Sequence, residues 1–104
     1  MDEATFDRLA TDELEALDGV LGDLDGVEAD SSGDVITLEF ADGARYVINS
    51  HRAARQIWLS AELRASHYSW DAGAAGWRDD KTGEELHARL SALLTTRLGR
   101  AILL

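Results

Sequence analysis

The chain contains neither cysteine nor proline. Without cysteine it can form no disulfide, thiolate metal site or cysteine nucleophile, so a bound metal would need oxygen or imidazole ligands. No segment reaches the roughly 20 consecutive apolar residues of a membrane helix. The acidic start, Met1–Phe6, has neither the basic and apolar regions of a signal peptide nor the Arg-rich composition of a transit sequence. We therefore expect a cytoplasmic protein, or the mature form of a cleaved one, with no membrane partner.

The net charge of −10 arises entirely within the first 30 residues. Residues 1–30 hold eleven acidic side chains and a single base, Arg8, whereas residues 31–104 hold nine acidic and nine basic side chains. Such a field repels nucleic acid and attracts cations or basic protein surfaces. We therefore expect no nucleic-acid partner.

The hydrophobic periodicity predicts helices at both ends of one domain spanning residues 1–104. A first helix is predicted over residues 4–24, although Gly19 and Gly22 each weaken it by about 1 kcal/mol relative to alanine. A second helix is predicted over residues 83–98, with Thr82 as its N-cap, Gly99 as its stop and the apolar residues 101–104 packed back on the body. The stripe of the first helix comprises Phe6, Leu9, Ala10, Leu14, Leu17, Leu21 and Leu24.

Between the helices, alternating patterns predict five or six short antiparallel strands, at residues 27–30, 35–40, 45–49, 56–60, 67–70 and 76–78. Asp42-Gly43 predicts a type I′ hairpin, with positive φ at both central residues. The expected fold is an α+β two-layer sandwich, with both helices on one face of the sheet. Ile57 and Leu59 would face the helices, which places Gln56, Trp58 and Ser60 on the open face.

The acidic first segment is the first candidate site. Exposed carboxylates suit hard cations, and neighbours on a helix can share a hydrated ion, so we expect weak and unselective metal binding. The alternative is a solvated face that aids solubility. The candidate ligands are Asp7, Asp12, Glu15, Asp18, Asp23 and Asp25.

Trp58 is the second candidate, because a large aromatic side chain on an open sheet face is a typical interface anchor. Asn49 and Gln56 would supply hydrogen bonds beside it, and Arg52, Arg55 and His67 would border it. The alternative is a Trp half-covered by neighbouring strands. Trp70 and Trp77 are interpreted as core residues, and His87 as exposed. The histidines are scattered and form no His-x-x-x-His pair, so a dedicated zinc or di-iron site is not expected.

Several segments resemble the frataxin family, in particular bacterial frataxins of the CyaY type. The resemblance rests on Tyr46–Asn49 followed after six residues by Gln56–Ser60, on the Tyr68-x-Trp70 pair, on Trp77 and on the Leu-rich last helix. It extends over nearly the whole chain and includes the acidic first helix and the helix–strands–helix order.

The resemblance implies a monomeric protein that binds Fe²⁺ and Fe³⁺ weakly on an acidic ridge, and that contacts the cysteine desulfurase and scaffold protein of iron–sulfur cluster assembly. Other divalent cations would also bind, and iron would promote oligomerisation. Two alternatives remain. A ferroxidase or iron-storage oligomer would need clustered carboxylates, which Gly19 and Gly22 disfavour, so we expect an accessory protein rather than an enzyme. An acidic adaptor would have no metal role.

Overall fold

The computed structural model describes all 104 residues and shows two helices packed on one six-stranded antiparallel sheet. The sheet order follows the chain, from β1 at one edge to β6 at the other. This confirms the predicted α+β sandwich. The elements are α1 (Glu3–Gly22), β1 (Val27–Ser32), β2 (Val35–Phe40), β3 (Arg45–His51), a 3₁₀ turn (Arg52–Ala54), β4 (Gln56–Ala61), β5 (Arg64–Asp71), β6 (Gly76–Asp79) and α2 (Leu86–Leu98).

Helix α1 forms where the sequence predicts it, because one continuous apolar stripe is available for burial. Asp2 caps its N-terminus, where the carboxylate accepts a hydrogen bond of 2.7 Å from the Thr5 amide. The helix runs through Gly19 and ends at Gly22, two residues before the predicted end. The residues that it buries in the core are Phe6, Ala10, Leu14, Leu17 and Leu21.

The sheet buries one face and leaves the other open, as the strand alternation predicts. In β4, Ile57 and Leu59 are buried against the helices, while Trp58 lies on the opposite face. Trp77 of β6 is 2% exposed and meets the Phe6 ring edge-on at 5.9 Å between centroids. Trp70 packs against Trp77 at 5.4 Å, so both residues belong to the core region as predicted.

The β2–β3 turn differs from the sequence prediction. The β2–β3 loop is closed by a bond of 2.9 Å from the Phe40 amide to the Ala44 carbonyl, and positive φ occurs only at Gly43 (88°). A type I′ turn is therefore wrong here, and the geometry is that of a three-residue loop with a glycine bulge. Positive φ at both central residues occurs instead at Glu62 (49°) and Leu63 (63°), in the β4–β5 turn.

Helix α2 begins later than predicted. Its N-cap is Glu85, whose carboxylate accepts hydrogen bonds from the amides of His87 (2.8 Å) and Ala88 (3.2 Å). Thr82 is not the N-cap, because its hydroxyl caps a separate local turn by accepting from the Glu84 amide at 3.2 Å. Gly99 ends the helix with φ 71°, as predicted.

The apolar residues after α2 return to the body of the protein. The Ile102 amide donates to the Thr95 hydroxyl at 2.9 Å, and the Leu104 amide donates to the Ser91 hydroxyl at the same distance. Ile102 and Leu104 pack on the core, while Leu103 points into solvent. Neither α1 nor α2 has the length and apolar character of a membrane-spanning helix.

Candidate functional site

The predicted acidic ridge is divided into separate groups of carboxylates. At the start of α1, Asp7 binds Arg52 of the 3₁₀ turn, with 3.0 Å between its Oδ1 and the guanidinium Nε. Glu3 lies 3.7 Å from Arg52 and 3.9 Å from Arg55. Asp7 is therefore already paired with a cation from the protein itself, and an incoming metal ion would compete with Arg52.

A second group lies halfway along α1. Glu15 and Asp18 line a cleft of about 120 Å³ together with Asp34, which lies in the β1–β2 turn. Asp34 accepts a hydrogen bond of 3.1 Å from the Ser50 hydroxyl. Asp34 cannot be recognised as a candidate from the sequence, because the strand pairing that brings it beside α1 is not visible in local periodicity.

The other three candidates lie elsewhere. Asp12 borders a different cleft, next to Trp70. Asp23 forms the C-cap of α1, and Asp25 follows it, with both residues exposed. No three Asp, Glu or His side chains are grouped so that they could hold a metal ion as preassembled ligands. The arrangement suits loosely held, hydrated cations, with Glu15 and Asp18 as the two candidates that share one cleft.

On the open face of the sheet, Trp58 lies between two histidines. Its ring stacks on His51 at 3.9 Å with an interplanar angle of 11°, and on His67 at 4.4 Å and 19°. The strand register explains the second contact, since Trp58 lies directly opposite His67 on β5 and opposite Asn49 on β3. The indole is partly buried. The three rings stack face to face in an aromatic strip across β3, β4 and β5.

A chain of hydrogen bonds fixes the orientation of the indole. The Trp58 Nε1–H donates to the Gln56 Oε1 at 2.9 Å, and the Gln56 amide nitrogen donates to the Asp80 carboxylate. Asp80 also accepts from the Ser69 hydroxyl at 2.7 Å. Because the only donor of the indole is used within the protein and His51 and His67 stack on its ring, Trp58 offers a partner its ring edge rather than a ring face or a hydrogen bond.

Only some of the residues predicted to border Trp58 lie beside the aromatic strip. His67 lies at the strip, and Asn49 lies beside Trp58 and donates to the Ser50 carbonyl at 3.3 Å. Arg52 reaches in the other direction, to Asp7 of α1. His51, which is not among the residues predicted to border Trp58, stacks on the indole and accepts a hydrogen bond from the Ala54 amide at 3.3 Å. The sequence offers one signal for His51. It lies two residues after Asn49 on the same strand, which places both side chains on the same face of the sheet.

A carboxylate–imidazole pair joins the two helices on the opposite face of the protein. The Glu13 Oε1 lies 2.6 Å from the His87 Nε2, and these side chains are only 13% and 33% exposed. This hydrogen bond with Glu13 raises the pKa of His87, against the opposing effect of burial. The predicted exposure of His87 is therefore wrong, because α2 turns this side chain towards α1.

One further polar cluster has a perturbed titration. Burial, together with a hydrogen bond from its hydroxyl to the Glu62 carboxylate, raises the pKa of Tyr46 to about 12. Arg97 lies 3.6 Å from the same carboxylate and 3.0 Å from Asp42. The cluster links α2 to the β2–β3 and β4–β5 turns. Its structural role in joining these elements accounts for the raised pKa of Tyr46.

Comparison with known proteins shows a consistent set of relatives. A family model described as a frataxin-like domain matches residues 1–100. The iron–sulfur cluster assembly protein CyaY of Dechloromonas aromatica is 37% identical, with 100% of this chain and 99% of the relative covered. The protein of the same name from Thioalkalivibrio sulfidiphilus is 35% identical, with 93% and 77% covered.

A solved structure supports the same relationship at the level of the fold. The frataxin of Psychromonas ingrahamii superposes with a TM-score of 0.86 at 26% identity, covering 98% of this chain and 96% of that protein. Both proteins therefore share the arrangement of helices and sheet described above.

Proposed function

The chain belongs to the frataxin family, and on that premise we propose that it is an accessory protein of iron–sulfur cluster assembly in the bacterial cytoplasm. In this role it binds iron weakly as cargo at its acidic segment. It docks on the cysteine desulfurase and the scaffold protein, and it catalyses no reaction of its own. The names of the CyaY relatives support the pathway, and the two surfaces described above support the mode of action.

The observation that carries the proposal is that the two candidate surfaces adjoin. The last residue of β3, His51, belongs to the aromatic strip, and the next residue, Arg52, binds Asp7 of the acidic helix. A complex with one basic surface and one flatter, less charged surface can contact both regions at once. Charge would govern the rate of encounter, and the partly buried Trp58 would contribute to affinity.

Iron binding is proposed at the acidic segment, with Glu15 and Asp18 as the first residues to test. They share a cleft, and neither forms an ion pair within the protein, whereas Asp7 is paired with Arg52. Glu15 is exposed and Asp18 is half-buried, and two such carboxylates hold a hydrated cation with low affinity and little selectivity, which suits transient cargo better than a permanent cofactor.

The test is an NMR titration of the isotope-labelled protein with Fe²⁺ under anaerobic conditions, repeated with the cysteine desulfurase. We expect both to perturb signals from residues 7–30, and the Glu15→Gln/Asp18→Asn variant to lose most of the iron effect. The scaffold protein is expected to perturb the signals of Trp58 and His67. Unchanged spectra with all three additions would refute the proposal, and rapid catalytic oxidation of Fe²⁺ would favour the ferroxidase alternative.

A further inference from the structure

A cleft beside the acidic segment lies between the middle of α1, the start of α2 and the β5–β6 turn. Its volume is about 560 Å³, within the usual range for ligand sites. The β5–β6 turn contains only alanine and glycine, Ala72–Ala75, so no large side chain fills the opening. The large apolar side chains that line the cleft are Leu9, Trp70, Trp77 and Leu104.

The charged groups at the cleft leave an excess of negative charge. Glu13 is bound to His87, and the Arg78 guanidinium lies 3.5 Å from Asp71, which serves as its counter-ion. Asp12 is exposed and has no ion pair, and Glu85 is bonded only to backbone amides of α2. Two carboxylates without a cationic partner therefore lie beside a partly exposed indole ring, that of Trp70.

We propose that this cleft is a binding site for an arginine side chain presented by a basic protein partner. The aliphatic stem of arginine matches the Leu9 side of the cleft, and its guanidinium can stack on Trp70 while it binds Asp12. Steering by the acidic segment favours such a partner, because Asp12 is part of that segment and residues 1–30 carry the whole net charge. The site extends the docking part of the proposed function, but it requires neither iron nor Trp58.

The first test uses a free probe, so that it does not depend on any partner. N-acetyl-arginine-methylamide is titrated into the labelled protein at constant ionic strength, with the citrulline analogue as the uncharged control. We expect the indole N–H signals of Trp70 and Trp77 to shift with a dissociation constant on the order of 1–10 mM for arginine, and no saturable shift for citrulline.

Three variants then localise the effect. Asp12→Asn should weaken arginine binding about three- to fivefold, and Ala74→Phe should block it by filling the cleft. Asp30→Asn is the matched control, because it removes one exposed charge of the same acidic segment at β1, the opposite edge of the sheet from β6. Retained amide spectra and melting temperatures show that the variants are folded.

The proposal is overturned if arginine and citrulline behave alike, or if Asp12→Asn and Asp30→Asn weaken binding equally, since that would show screening of the overall charge alone. These results are independent of the proposed role in cluster assembly. If arginine binds in the cleft but neither iron nor the desulfurase perturbs residues 7–30, the site stands and the proposed function fails.

Discussion

Glu13 and His87 lie 74 positions apart in the sequence, and their side chains meet at 2.6 Å across the two helices. Both belong to helices whose other inward residues are almost all apolar. The contact therefore joins two polar side chains within an otherwise apolar interface between α1 and α2, where a carboxylate faces the imidazole. Glu85 is a second carboxylate close enough to raise the pKa of His87.

This pair predicts a defined dependence of stability on pH. Since the folded state raises the pKa of His87, the pair stabilises the protein fully below the unfolded value of about 6.5, and the contribution is lost as the pH rises through the folded value. We expect His87→Gln to cost about 1 kcal/mol at about pH 6 and much less at about pH 9. Urea unfolding at the two pH values measures the difference.

Glu13→Gln provides the reciprocal variant, because it keeps the shape of the side chain and removes its charge. Glu13→Gln should reduce the pH dependence of the free energy of unfolding to the same extent as His87→Gln. The double variant should lose clearly less free energy of unfolding than the sum of the losses of the two single variants. Equal costs for His87→Gln at both pH values would show that the contact does not depend on the charge of the imidazole.

Trp58 and Trp77 are expected to respond differently to truncation. Trp77→Ala should cost about 3–5 kcal/mol, because it opens a cavity beneath Phe6. Trp58→Ala leaves the helix-facing core intact and should cost only about 1–2 kcal/mol, from the lost contacts with His51 and His67. Chemical unfolding of both variants checks this order, and a larger loss for Trp58→Ala would place the stack among the essential elements of the fold.

The two possible caps of α2 can be separated by matched alanine substitutions. Glu85→Ala removes the acceptor for the His87 and Ala88 amides and should destabilise the protein by about 1 kcal/mol. Thr82→Ala removes only one turn bond, to the Glu84 amide, and should cost about 0.5 kcal/mol or less. Thermal unfolding of the two variants distinguishes the caps, and the reverse order would restore Thr82 to the role predicted from the sequence.

Multivalent cations should stabilise the folded chain, because its acidic segment carries a charge of −10 with few internal counter-ions. With Mn²⁺ at about ten times its dissociation constant, we expect the melting temperature to rise by roughly 4 °C or more, and chelation to reverse the rise. Glu15→Gln/Asp18→Asn should lose most of the shift. A melting temperature unaffected by the metal would argue against binding at this segment.

The fold could be predicted because its signals are local. The apolar stripe from Phe6 to Leu21 predicts α1, and the alternation around Trp58 predicts which side of β4 is buried. The conformation of the β4–β5 turn was harder to predict from the sequence. Neither Glu62 nor Leu63 favours positive φ, and only the pairing of the flanking strands imposes it. The same limit applies to Glu85, whose capping role depends on where α2 meets the sheet.

The candidate sites were predictable in kind but not in detail. Composition alone indicates an acidic segment, yet the pairing of Asp7 with Arg52 joins residues 45 positions apart. Likewise, alternation places Trp58 on the open face, but the flanking His51 and His67 come from two other strands. Such contacts depend on register and on the path of loops, which hydrophobic periodicity does not specify.

The most direct measurement of the central claim is the affinity of the protein for the cysteine desulfurase–scaffold complex, determined at low and high salt. The wild type, Glu15→Gln/Asp18→Asn and Trp58→Ala should be compared. The account predicts that salt weakens wild-type binding, that the carboxylate variant binds less tightly with a smaller salt dependence, and that Trp58→Ala loses about 2 kcal/mol or more while keeping that dependence. Binding that is insensitive to salt and to all of these substitutions would contradict it.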